Sequence, residues 1–292
     1  VDALKELIAN DRPLMLPAIG ALGEVRLTET LRPELAKLAF GALPLADEGD
    51  VPTLARVLLE SAAGAPAARQ LRELRQQVGA ISYGTLSLLL QVVANALRLH
   101  ASSSAKALIA QCAASPTLSR WDTTLLFTLL PLPRHRSAAM HALSRALRRG
   151  ALAADVLCQS AADPALPAAA AAKLPHLVAA LLTDASSAST PLYGAWLAVS
   201  LIAGAPSASQ PPPSMDAAAA AAHSQRVAIA QQSLSELLSA LFSHAPAAAA
   251  AAATAFGQIA VRGAHALGGA DWSMLQEAMA HAPRIASRLL PP

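Results

Sequence analysis

Hydrophobic side chains recur along this chain at the spacing of amphipathic helices. In residues 50–77, Leu54 and Leu58 share one helical face and, after a short break, Leu71 and Leu74 share another. Charged side chains occupy the opposite faces. The pattern predicts two helices whose apolar stripes must be covered by neighbouring helices.

The same periodicity continues over most of the chain, and the connections are short and contain Gly, Pro or Ser. Branched and aromatic strand formers are sparse, and no segment predicts a convincing strand. The predicted fold class is therefore all-α, as an α-solenoid of irregular HEAT/ARM-like antiparallel helix pairs, with a globular helical bundle as the alternative. Further helices are predicted near residues 30–42, 84–100, 103–114, 119–131, 135–149, 151–161, 166–183, 191–203, 224–244, 246–266 and 271–281.

One internal segment differs in composition from the rest. Residues 203–224, which include "AGAPSASQPPPSMDAAAAAAH", are rich in Pro, Ser and Ala and almost without charge. Such composition predicts a disordered low-complexity insertion. The flanking residues 1–202 and 225–292 are predicted to be one α-solenoid segment and its continuation. The chain begins with Val1, and we expect it to be a fragment of a longer protein.

Alanine dominates the apolar content, with 73 of 292 residues, whereas aromatic residues make up 3%. Alanine has the highest helix propensity and a small side chain, which favours closely packed helices. The mean hydropathy of +0.41 suggests a membrane protein at first sight. The most apolar candidate span, residues 191–205, is however shorter than the roughly 20 residues that a spanning helix needs. We therefore predict no membrane contact.

Positive charge is concentrated in the middle of the chain. Residues 81–150 contain eight basic side chains and one acidic side chain, a net charge of +7, although the whole chain has a net charge of +3. In the segment "RHRSAAMHALSRALRRG", His141, Arg145 and Arg148 follow helical spacing and form a basic ridge above an apolar stripe. Such a ridge can contact phosphates. The candidate contacts to DNA phosphates are Arg134, Arg136, Arg145, Arg148 and Arg149.

A second interpretation of this ridge is a solvated helix face. Cationic side chains near the carboxyl end of a helix are favoured by the helix dipole, whatever the function of the protein. The sequence alone leaves both interpretations open.

Sequence motifs of enzymes and metal sites do not occur in a convincing form. There is no Gly-rich phosphate loop, no HExxH and no pair of His at ligand spacing. Cys112 and Cys158 fit no metal or redox spacing and are interpreted as small core side chains in a reducing compartment. The "SSAK" at 103–106 lacks the partner motifs of acyl-enzymes. We predict no catalytic, cofactor or metal site.

Several segments resemble the central helical region of the Fanconi anemia group D2 family. The run "EGDVPTLARVLLESA" is similar to a family helix of the form Pro-x-hydrophobic-x-Lys/Arg-x-Leu-Leu-x-Ser, and "ARQLRELRQQV" to a following helix with Glu-Leu-Arg near its centre. "LLLQVVANALR" and "SRALRRGALAADVLCQS" resemble later segments in the same order. The resemblance covers roughly residues 10–160 and is weaker beyond. The matching residues of the first two helices are Pro52, Arg56, Leu58, Leu59, Ser61, Glu73, Leu74 and Arg75.

The resemblance implies a nuclear α-solenoid that acts in the repair of DNA interstrand crosslinks without being an enzyme. It implies a heterodimer with the Fanconi anemia group I paralogue, clamping of double-stranded DNA, and monoubiquitination by a ubiquitin ligase machinery. The family acceptor lysine follows a region that would correspond to Trp272–Leu290, where this chain has Arg284 and Arg288 but no Lys. This sequence therefore assigns no ubiquitin acceptor, and monoubiquitination is expected outside residues 1–292.

The alternative is a generic HEAT-type adaptor for protein interactions, in trafficking or complex assembly, without DNA binding. Helical-repeat binding of RNA is less favoured, because the regular repeat of such proteins is not visible.

Overall fold

The computed structural model describes residues 12–23, 28–29, 31–99, 101–206 and 216–262. These residues form α-helices and two short 3₁₀ turns, and none of them lies in a strand, which confirms the all-α prediction. In chain order, the helices are α1 (Arg12–Gly23), α2 (Arg32–Ala42), α3 (Val51–Ser61), α4 (Gly64–Gln77), α5 (Tyr83–Leu99), α6 (Ala101–Ala114), α7 (Arg120–Thr128), α8 (Pro133–Arg148), α9 (Ala154–Ala161), α10 (Ala168–Ala171), α11 (Leu174–Leu182), α12 (Thr190–Ala203), α13 (Ala217–Leu241) and α14 (Pro246–Arg262).

Most helix bounds agree with the periodicity, and one predicted helix is divided. Residues 166–183 were expected to form a single helix, but the chain forms α10 and α11 with a turn at 172–173. Pro175 lies in the first turn of α11. A proline in a helix interior removes a hydrogen bond and clashes with the carbonyl four residues earlier, so a break before it is expected. The predicted helix near 271–281 lies outside the described residues.

The predicted disorder of residues 203–224 is wrong for its last part. Helix α13 begins at Ala217, and the Asp216 carboxylate caps it by accepting a hydrogen bond of 2.6 Å from the Ala219 backbone N–H. A side-chain cap followed by an alanine run has high helix propensity. Residues 207–215 lie outside the described residues. The α-solenoid arrangement of 1–202 and 225–292 stays a prediction.

Packing divides the chain into two compact units. The first consists of the described residues within 12–115, 132–138 and 164–167. In it, α1 packs on α2 and α3, α2 on α3 and α4, α3 on α5, and α6 on α4 and α5. The predicted apolar stripes are buried, with Leu54, Leu58, Leu71 and Leu74 at most 1% exposed. Asp50 precedes α3 but makes no side-chain cap, contrary to the capping role that its position suggests.

Polar contacts between α4 and α6 reinforce the first unit. The Gly64 N–H donates to Ser104 Oγ at 3.0 Å, and the Gln111 side chain donates to the Ala65 carbonyl at 3.1 Å. Gly64 has a φ of +67°, a left-handed conformation that glycine adopts without strain. Ser104, a member of the "SSAK" segment, is thus a buried partner of the α4 amino terminus.

The second unit consists of the described residues within 116–131, 139–163 and 168–262. Helix α12 packs on α9, α11, α13 and α14 and so occupies the middle of its described part. The residues of α7 from Trp121 to Thr128 are all buried. Ser119 and Asp122 form a capping box at the start of α7, in which each side chain accepts from the other's backbone N–H. No helix within the described ranges is long and apolar enough to cross a membrane.

Candidate nucleic-acid interface

Helix α8 carries the predicted basic ridge, and its faces separate as the periodicity predicts. Ala139, Leu143 and Leu147 are buried, whereas Arg145 and Arg148 are exposed. The residues of α8 before Ala139 belong to the first unit and the later ones to the second. The candidate arginines therefore divide into Arg134 and Arg136 in the first unit and Arg145, Arg148 and Arg149 in the second.

In the first unit, Arg134 is exposed and Arg136 is half-buried. His135 between them is buried. Its pKa is lowered, first by desolvation and then by the positive charges of Lys106 and Arg134. A neutral imidazole adds no positive charge to this end of α8. His135 therefore does not enlarge the basic surface that Arg134 and Arg136 form.

In the second unit, Arg145, Arg148 and Arg149 are exposed within the last turn of α8 and the residue after it, and we call these three residues the α8 basic surface. Gly150 ends the helix with a φ of +69°. Its N–H donates to the Leu147 carbonyl at 3.1 Å, and the Ala151 N–H donates to the Ala146 carbonyl at 2.9 Å. This left-handed termination holds the three arginines on a fixed helix end.

Arg148 takes part in a polar network that the sequence analysis did not find. It donates to Ser186 Oγ, which in turn donates to the Asp184 carboxylate. Asp184 also accepts from Ser144 Oγ at 2.6 Å and from the Ser186 backbone N–H at 2.9 Å. Ser144 lies on α8, and Asp184 and Ser186 lie in the turn between α11 and α12. The network therefore joins the α8 basic surface to this turn.

The network keeps Asp184 ionised. Burial raises the pKa of its carboxyl group, but hydrogen bonds from Ser144 and Ser186 and the charge of Arg148 outweigh burial and lower the pKa from 3.8 to about 2. Near neutral pH the carboxylate is therefore charged, and it offsets part of the positive charge of Arg148. The remaining positive charge of the α8 basic surface comes from Arg145 and Arg149.

The lowered pKa of Asp184 predicts an acid-sensitive contribution to stability. Because the folded value of about 2 lies below the ordinary 3.8, the contribution is complete above pH 4 and is lost as the pH falls through 2. We expect Asp184→Asn to lower the free energy of unfolding by about 1–2 kcal/mol near pH 6 and by less near pH 2. Urea unfolding followed by circular dichroism measures both values. Glu236→Gln, on α13 of the same unit, is the control, and an equal pH dependence of the two losses would contradict the assignment.

The two cysteines and Glu48 lie in surroundings that explain them structurally. Cys112 is buried, and Cys158 is half-buried with a pKa raised to about 11, chiefly by desolvation. The Glu48 carboxylate accepts from the Ser82 backbone N–H at 2.6 Å. Among the residues that the structure describes, no group of three or more His, Cys, Asp or Glu side chains could hold a metal ion.

Exposed apolar side chains occur on another helix of the second unit. Leu192 and Trp196 of α12 are 36% and 41% exposed and lie one helical turn apart. The rings of Tyr193 and Trp196 meet edge to face, with centroids 5.8 Å apart. Aromatic and aliphatic side chains exposed together are typical of protein-interaction surfaces.

Comparisons with known proteins add no family to these observations. No protein-family model matches the chain, and no curated protein matches it.

Proposed function

We propose that this chain is a non-catalytic helical scaffold that binds double-stranded DNA through the α8 basic surface. The single observation that carries the proposal is the exposure of Arg145, Arg148 and Arg149 on one fixed helix end. Guanidinium groups pair with phosphate in a bidentate geometry, and contacts to the phosphate backbone supply most of the affinity of sequence-independent DNA binding.

The scaffold itself is proposed to be an α-solenoid of antiparallel helix pairs, and the packing of the first unit supports this. In the first unit, α2 packs on α3 and α4, α3 on α5, and α4 on α6. Contacts between each helix and its next and next-but-one neighbours are typical of stacked HEAT/ARM-like helix pairs. Such stacks present extended surfaces on which a basic helix end can contact a duplex.

The resemblance to the Fanconi anemia group D2 family supports a proposal for the localisation, the partner and the pathway of this protein. It supports a nuclear protein that pairs with the group I paralogue, clamps duplex DNA during interstrand crosslink repair and is regulated by monoubiquitination outside the region seen here. The segment "SRALRRGALAADVLCQS", which carries part of that resemblance, contains the α8 basic surface.

Neutralising this surface is expected to weaken duplex binding and its salt dependence. In the triple variant Arg145→Ala/Arg148→Ala/Arg149→Ala, the slope of log affinity against log salt should fall by about 2–3, because each lost phosphate contact removes about 0.9. We expect the affinity for a random-sequence duplex to fall about 10- to 100-fold near 50 mM salt. Fluorescence anisotropy with labelled duplex measures both quantities.

A matched control removes the same charge from exposed positions elsewhere. Arg32, Arg69 and Arg226 are exposed on α2, α4 and α13. Their triple replacement by Ala should change the affinity by less than about threefold. Equal losses in the two triple variants would contradict the assignment of the surface, and wild-type protein that does not bind duplex would contradict the function.

The second candidate is a protein-interaction adaptor, which the exposure of Leu192 and Trp196 favours. In that case the α8 arginines are a solvated helix face stabilised by the helix dipole. The adaptor predicts no salt-sensitive duplex binding and no difference between the two triple variants, so the same titration distinguishes the two functions.

A further inference from the structure

We propose that Ser186 is a phosphorylation site whose modification lowers the affinity of the α8 basic surface for DNA. The effect on DNA rests on the proposed function, whereas the modification site rests on the structure of the turn between α11 and α12. Ser186 is exposed in this turn, and its hydroxyl lies between a cation, Arg148, and an anion, Asp184.

Accessibility distinguishes Ser186 from most neighbouring hydroxyl groups. The other exposed one, Thr183, donates its Oγ1–H to the Ala179 carbonyl at 2.8 Å and, among the described residues, has no hydrogen bond to an arginine. Ser144, the other serine in contact with Asp184, is buried on α8, and Thr190 at the start of α12 is fully buried. Ser187 and Ser189 are half-buried and hydrogen-bonded to each other at 2.9 Å. Ser186 thus combines a non-helical backbone, an exposed side chain and an arginine already in contact with its oxygen.

The reaction is a phosphoryl transfer from ATP, catalysed by a protein kinase. The Ser186 Oγ–H bond breaks and its proton goes to the base of the kinase, while a bond forms between Oγ and the γ-phosphorus. The bond from that phosphorus to the β-phosphate oxygen breaks, and ADP leaves. The product has a charge of about −1.5 to −2 at pH 7 and three strong acceptor oxygens.

This charge redistributes the polar network. Phosphoserine can no longer donate its Oγ–H to Asp184, and its negative charge repels that carboxylate. The Arg148 guanidinium, which now contacts Ser186 Oγ, can instead pair with the phosphate oxygens. Arg148 is then occupied, and the local positive charge provided by Arg145, Arg148 and Arg149 is offset by about two negative charges. Both effects weaken contacts of this surface with DNA phosphates.

A first experiment tests the modification site without DNA. The 292-residue chain is prepared with genetically encoded phosphoserine at position 186, and the phosphate is titrated by phosphorus NMR. Pairing with Arg148 should lower the second pKa of the phosphate below its ordinary value of about 6, and Arg148→Ala should restore it. An unchanged titration in Arg148→Ala would overturn the pairing.

A second experiment tests the consequence for DNA. Phosphoserine at 186 should reduce duplex affinity about tenfold near 50 mM salt, whereas phosphoserine at Ser235, an exposed position on α13, should reduce it less than about threefold. Equal reductions would overturn the regulatory role. If unmodified protein fails to bind duplex, the proposed function fails, and the phosphorus titration still decides the pairing with Arg148.

Mass spectrometry of protein isolated from its own cells, with phosphatases inhibited, tests whether the modification is used. A phosphate located on Ser186, before or after treatment with a DNA crosslinker, supports the assignment. Ser186 without phosphate under both conditions, with other phosphopeptides recovered, would overturn it.

Discussion

Phe256→Ala is expected to lower the free energy of unfolding by about 3–5 kcal/mol. The Phe256 ring is fully buried on α14, which packs against α12 and α13. Truncation removes its transfer free energy and leaves a cavity that the surrounding helices fill only partly. Alanine is common on α14 itself, so few large neighbours are available on that helix to close the space. Urea unfolding of the full chain, followed by circular dichroism at 222 nm, measures the loss.

Phe242→Ala is the matched control, because the same atoms are removed from a different surrounding. Phe242 follows the last residue of α13 and is 61% exposed. We expect it to change stability by less than about 0.5 kcal/mol. Comparable losses in the two variants would mean that α14 does not pack on α12 and α13 as the structure has it.

The sequence predicted those features of the fold that depend on local periodicity. The stripe of Leu54 and Leu58 and the stripe of Leu71 and Leu74 are buried as expected, because a side-chain pattern with a 3.6-residue period needs no distant information. The break before Pro175 depends on equally local chemistry, but the apolar periodicity of residues 166–183 concealed it. The start of α13 was predicted as disorder because of its biased composition. An alanine run can occur in a disordered segment, but it can also follow a helix cap, as it does after Asp216.

Features that depend on distant residues could not be predicted. Asp50 has the residue type and position of a helix cap, yet its side chain makes no capping bond. The division of the chain into two units depends on which helices pack together. The periodicity of a helix shows which face is buried but not which other helix covers it.

In the candidate site, too, local features could be predicted from the sequence and contacts between distant residues could not. The exposure of Arg145 and Arg148 and the burial of Leu143 and Leu147 followed from the helical pattern. The contact of Arg148 with Ser186 joins residues 38 positions apart and depends on the packing of the second unit. The only local signal was the Asp-x-Ser spacing at 184–186, which favours a turn in which the Asp carboxylate accepts a backbone N–H.

Gly194→Val is expected to destabilise the second unit by about 2–3 kcal/mol. Gly194 lies where α12 approaches α11, and a Cβ atom at this position would be 2.9 Å from the Leu182 backbone nitrogen and 3.0 Å from Leu181 Cβ. A backbone atom cannot move aside as the end of a flexible side chain can, so the two helices must separate or shift. Since α12 also packs on α9, α13 and α14, such a shift disturbs several contacts at once.

Gly257→Val makes the same substitution where space is open, because no atom beyond its chain neighbours and the backbone of its own helix lies within 4 Å of a Cβ built at Gly257 on α14. Valine has a slightly higher helix propensity than glycine, so this control should change stability by less than about 0.5 kcal/mol, in the stabilising direction. Urea unfolding of both variants separates close helix packing from the propensity of the residue. If Gly194→Val were as stable as Gly257→Val, α11 and α12 could not approach as closely as the structure has them, and Asp184 and Ser186, in the turn that joins these two helices, would lose the support that holds them against α8.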